Sequence, residues 1–88
     1  MIARRSGDWL TATVGAELVM MSVEHGRYLG LNGMGRRVWE LIETPHELGS
    51  LCRVLEQEFE VSPEVCRAEV EAFLNELAEN GAAALDPS

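Results

Sequence analysis

Two β-prone runs separated by a short polar break dominate the first third of the chain. Leu18–Val23 is apolar or small, Glu24-His25-Gly26 interrupts it, and Arg27–Leu31 resumes an extended pattern. Two such runs about a loop ending in glycine predict a hairpin, with Gly26 in the left-handed conformation that penalises a Cβ. A three-residue loop puts Val19 and Met21 on the face of Leu29 and Leu31, which is expected to be the buried one. Tyr28 then shares its face with Leu18 and Met20 and is expected to be partly exposed. Ahead of the hairpin, Trp9–Val14 alternates, with Leu10, Ala12 and Val14 against Thr11 and Thr13. That reads as a half-buried strand turned at Gly15-Ala16, completing a three-stranded antiparallel meander. Nothing after Leu31 reads as a strand. Arg27–Leu31 is therefore expected at the sheet edge, with unpaired backbone groups.

From Asn32 onward the period changes from two to 3.6. Asn32 is read as the cap of a first helix running from Gly33 to about Glu43, with Met34, Val38, Trp39, Leu41 and Ile42 on its apolar side. Thr44-Pro45-His46-Glu47 reads as a cap, a first-turn proline and a capping box opening a second helix to about Glu58. Its stripe is Leu48, Leu51, Cys52, Leu55 and Phe59. Ser62-Pro63-Glu64 opens a third helix to about Asn80, striped by Cys66, Val70, Phe73, Leu74 and Leu77, with Gly81 as its terminator. Met1–Asp8 is read as a flexible arm, residues 9–82 as one domain and 83–88 as a tail. The order β-β-β-α-α-α predicts an α+β fold with helices on one face of a three-stranded sheet.

Composition narrows the function classes. Fifteen acids against seven arginines give a formal charge of −8 over 88 residues. Such a surface repels phosphates, which argues against nucleic acid and anionic membranes. No apolar run reaches a membrane span and the N-terminus lacks the apolar core of a signal peptide, so the reading is cytoplasmic.

Candidate chemistry is sparse. Cys52 and Cys66 fall on helix stripes without a C-x-x-C, and His25 and His46 lie apart, so the thiols are read as buried, reduced and metal-free. The glutamates of Pro63–Asn80 read as a solvated face, and no nucleophile, phosphate-loop or metal spacing occurs. The expectation is a non-enzyme with no cofactor. The short connection between the second and third helices suggests a helix-turn-helix, but five acids and one arginine over Pro63–Asn80 suit a DNA groove poorly. Met20 and Met21 are read as core rather than as an adaptable surface, Trp39 and Phe73 as core outright.

The run Gly26-Arg27-Tyr28-Leu29-Gly30-Leu31-Asn32, followed by Trp39-Glu40-Leu41, resembles the PqqD family, whose usual wording is G-x-Y-[YF]-x-L-N before a W-E-L helix. Leu51-Cys52, Glu58-Phe59-Glu60-Val61, Cys66-Arg67-Ala68-Glu69-Val70 and Phe73-Leu74-Asn75-Glu76-Leu77 resemble its stand-alone members in lasso-peptide biosynthesis. The resemblance spans about residues 9–82. Leu29 stands where a second aromatic is frequent, and Ala82, Ala83 and Ala84 replace larger apolar residues. The resemblance implies a RiPP recognition element: a winged-helix-like module without catalysis. Such modules bind the leader segment of a ribosomally made precursor as an added strand and present it to a cysteine-protease-type leader peptidase and a macrocyclase. Pyrroloquinoline-quinone biosynthesis is the alternative pathway. The free edge independently suits β-augmentation. A DNA-binding regulator and a dimer paired through edge strands are the other classes. The expected site is Arg27, Tyr28, Leu29, Gly30 and Leu31 on the strand and Val65, Arg67, Ala68 and Ala72 on the third helix, with both arginines available to acidic leader groups.

Overall fold

A computed structural model describes residues 1–31 and 33–87. The elements run β1 (Ile2–Arg5), β2 (Leu10–Val14), β3 (Glu17–Ser22), β4 (Arg27–Leu31), α1 (Gly33–Leu41), β5 (His46–Glu47), α2 (Leu48–Phe59), α3 (Pro63–Glu79) and β6 (Ala83–Asp86). The expected α+β fold, with an antiparallel β2-β3-β4 sheet and three helices, is present. A second sheet, ordered β5-β1-β6, was not foreseen.

The hairpin forms, but its loop has four residues, Val23 to Gly26, because β3 stops at Ser22. The Ser22 hydroxyl accepts the His25 N–H at 3.3 Å, turning the chain one residue early. A one-residue change exchanges the faces of a strand. Leu18 therefore pairs with Leu31 and Met20 with Leu29, while Val19 faces Gly30 and Met21 faces Tyr28. Leu18, Met20 and Leu31 are buried, so the core face of β3 is the one opposite to expectation. Tyr28 is 70% exposed on the outer face. The same register sends Leu10, Ala12 and Val14 of β2 outward beside Met21, Val19 and Glu17, and all five residues of β2 are exposed rather than half-buried.

Residues near both ends pair into strands. β1 pairs with β6 over Ile2↔Asp86 to Arg5↔Ala83 and with β5 over Ile2↔Glu47 and Ala3↔His46. Ala3, Ala82 and Ala83 are buried, their small side chains letting these strands lie close to the helices. The expected arm at residues 1–8 and tail at 83–88 thus contain β1 and β6, and Asp86 also meets the Arg4 guanidinium at 3.1 Å. Gly7 joins the two sheets with φ +74; a Cβ there would lie 2.8 Å from the Gly81 carbonyl.

Arg5 completes the C-terminal end of α1. Its Nε and Nη2 donate to the Trp39 carbonyl at 3.0 and 2.8 Å, and the guanidinium stacks 4.4 Å from the Trp39 ring centroid. A cation on the last turn's free carbonyls is favoured by the helix dipole as well as by the bonds. The Asn32 cap expected for α1 lies outside the described residues.

α2 opens at Leu48, later than the Thr44-Pro45 signal suggested, because His46–Glu47 extends along β1. Glu47 is the cap itself, its carboxylate accepting the Gly49 N–H at 2.7 Å. α3 begins as expected, with Ser62 accepting from Val65 N and Pro63 in the first turn. The helical stripes meet in one core: Val38, Trp39 and Ile42, then Leu48, Leu51, Cys52 and Leu55, then Cys66, Val70, Leu74 and Leu77. Phe59 falls outside it, 38% exposed at the end of α2.

Candidate functional site

The expected sheet edge is real. Among the described residues β4 pairs with β3 alone, so its other side carries unpaired backbone donors and acceptors. Beside that edge lies an open cleft of about 310 Å³ lined by Leu29, Gly30 and Leu31 of β4, Gly35 of α1 and Phe73, Glu76 and Leu77 of α3. A smaller hollow of about 150 Å³, lined by Met34, Gly35, Val38, Glu69, Val70 and Phe73, continues between α1 and α3. Gly35 and Phe73 border both. Position 35 has no room for a side chain without displacing Phe73: a Cβ would sit 3.2 Å from the ring. The apolar floor and free strand edge together suit an extended peptide, whose backbone pairs with β4 while alternate side chains enter the hollows.

The far end of the cleft is clasped. Arg27 Nη1 donates to Asn80 Oδ1 at 2.8 Å, and Asn80 Nδ2 donates to the Glu76 carbonyl at 2.9 Å, tying the start of β4 to the end of α3.

Of the residues expected at the site, Leu29, Gly30 and Leu31 line the cleft, Arg27 clasps its end and Tyr28 projects from the outer face. The helix side differs from expectation. Val65, Ala68 and Ala72 are exposed and line neither hollow. Arg67 is about half a turn around the helix from Glu76 and pairs instead with Glu71 at 3.0 Å. Neither Arg67 nor Arg27 is therefore free in the cleft for acidic ligand groups. The helical residues that do line it are Glu69, Val70, Phe73, Glu76 and Leu77. Phe73, expected wholly in the core, is only partly buried; its place at the margin of the apolar stripe was the sequence signal for a residue shared between core and cleft.

The thiols offer no nucleophile. Cys66 Sγ lies 3.8 Å from the Cys52 carbonyl, and burial pushes the Cys66 thiol up to about 11. Burial raises Cys52 as well, whereas a reactive cysteine needs the thiolate. No group of three or more His, Cys, Asp or Glu residues among those described could hold a metal, and no described helix is long and apolar enough to cross a membrane.

Comparison with known proteins agrees with this fold. No curated protein matches the chain. Two solved structures share its fold. One is described as TbiB1 in complex with the TbiA(beta) leader peptide, with TM-score 0.83 and 22% identity over 97% of this chain and 99% of that one. The other is lasso peptide synthetase B1 complexed with the leader peptide, with TM-score 0.82 and 22% identity over 94% and 98%. The family model described as coenzyme PQQ synthesis protein D (PqqD) matches residues 17–82, from the start of β3 to the end of α3 and its terminator. The chain belongs to the PqqD family.

Proposed function

We propose that this protein is a recognition module without catalysis. It takes the leader segment of a ribosomally synthesised precursor peptide as an added strand on β4. The observation that carries this reading is the unpaired edge of β4 running beside a cleft whose floor is Leu29, Leu31, Phe73 and Leu77. Backbone bonding along the edge supplies register, and the hollows on either side of Phe73 supply selectivity. The two solved neighbours, each described with a leader peptide, support the same use of the fold. The acidic surface disfavours the nucleic-acid alternative. In the lasso-peptide setting the bound leader is handed to a cysteine-protease-type leader peptidase and a macrocyclase in the cytoplasm.

The test is a backbone-amide NMR titration with synthetic leader segments of candidate ribosomal precursor peptides. Shifts are expected to concentrate in Arg27–Leu31 and in the Glu69–Leu77 stretch of α3. Shifts confined to β2 or α2, or no saturable binding, would overturn the reading.

A further inference from the structure

The cleft has a sign. Glu76 lines the hollow next to β4, and Glu69 lines the second hollow beyond Phe73. Seven residues separate them, two helical turns, so both carboxylates lie on one side of α3 about 10 Å apart along its axis. On the opposite face of β4, the Glu17 carboxylate lies over Gly30. A strand added to β4 therefore passes between acids, with Glu76 on the side facing the helices and Glu17 on the outer side.

Among the described residues no ion pair reaches Glu17, Glu69 or Glu76. All seven arginines are engaged elsewhere. Arg4 pairs with Asp86, Arg5 holds the Trp39 carbonyl and Arg27 holds Asn80. Arg36 meets Glu40, Arg37 meets Glu58, Arg53 caps the Gly49 carbonyl and Arg67 meets Glu71. Neither Glu69 nor Glu76 has an ion pair among the described residues. Water solvates them in the free protein. A peptide seated on β4 displaces that water, and an ionised carboxylate losing solvent without a partner opposes binding. A ligand bringing a cation to Glu76 removes this penalty, and one bringing a carboxylate increases it.

We propose that Glu76, assisted by Glu69, makes the cleft selective for a basic peptide, a strand that places an arginine or lysine beside its apolar anchors. This deepens the peptide-strand reading above and rests on it. Arginine is the better partner, since its planar fork bonds a carboxylate through two donors. The charge preference is the reverse of that expected from Arg27 and Arg67.

The test is selection of random twelve-residue peptides displayed on phage, run in parallel on the intact protein, on Glu69→Gln/Glu76→Gln and on Leu29→Trp, whose indole fills the cleft. Each variant's melting curve is recorded first, and Leu29→Arg replaces Leu29→Trp if the latter melts early. The expected result is a set of peptides lost on the blocked variant, with Arg or Lys at a fixed spacing from an apolar anchor. The double glutamine variant should keep the anchor and lose the basic position. Synthesised as an Arg/Gln pair, such a peptide should bind the intact protein about five- to tenfold tighter in its Arg form. The two forms should come within about twofold of each other on the double variant. Cleft-dependent peptides with no basic position, or with one indifferent to the glutamine changes, would overturn the selectivity and leave strand addition standing. An absence of cleft-dependent peptides would overturn both.

Discussion

Cys66 shows how little of a side chain's chemistry its identity reveals. The same thiol can be a nucleophile or a small hydrophobe, and here desolvation between α2 and α3 decides for the second. The decision has a measurable pH signature. An unfolded chain gives up this proton near 9.0, whereas the folded protein holds it to about 11. Below pH 9 both states are protonated, so the contribution to stability is fully present. As the pH rises from 9 to 11 the unfolded state sheds its proton first and the contribution is lost, about 2–3 kcal/mol for a shift of this size. Urea melts at pH 8, 9, 10 and 11 should show that loss, and Cys66→Ala should flatten it. Identical pH slopes in the two proteins would place the thiol in contact with water.

At the scale of elements, the second sheet turns on Ala3, which is buried between β5 and β6 in sequence-distant pairings. Ala3→Asp would put a carboxylate in place of a fully buried methyl group between two paired strands and should cost about 3 kcal/mol or more. A mutant melting with the parent would mean that residues 2–5 are the loose arm their polarity suggests. The sequence could not announce this sheet. Ile-Ala-Arg-Arg and Ala-Ala-Leu-Asp lack the alternation of branched and aromatic residues that marks a strand, and their pairing joins residue 2 to residue 86. Local pattern carries no trace of such a contact. The meander was legible because its signals were local: alternation in β3 and β4 and a glycine at the turn. Its facing failed over one residue, since Ser22 hydroxyl bonding, not composition, sets where the strand stops. The α3 boundaries were legible for the same reason as the meander, a serine cap, a proline and a terminal glycine within a few residues of the ends.

At the scale of the whole molecule, the cleft belongs to no single element. β4 gives one wall, α3 the other and α1 the back, and Gly35 lets Phe73 settle against that back. The strand wall reads correctly from the sequence although the strand count behind it is wrong: β5 and β6 follow β4 in the chain, but both pair with β1 in the second sheet and leave the edge of β4 open. The helix wall could not be read, because the rotation of α3 about its axis is set by what its stripe packs against. Val65, Glu69, Ala72 and Glu76 fall on one stripe of α3, so the sequence places the stripe but not which of its members border the hollows; the assembled core makes Glu69, Phe73 and Glu76 the lining. Enlarging one residue in the cleft and one on the far side of α3 separates binding in the cleft from binding elsewhere on the helix. Leu29→Trp places an indole inside the 310 Å³ cleft and should abolish leader binding, while a partly buried position tolerates the added bulk with a small change in melting temperature. Arg67→Trp adds the same indole at an exposed position half a turn from Glu76 that lines neither hollow, and should weaken binding by no more than about threefold, a change of about 0.7 kcal/mol. Calorimetric titration of both variants with one leader peptide decides the matter. Loss of binding in Arg67→Trp with retention in Leu29→Trp would put the peptide on the solvent side of α3 and out of the cleft.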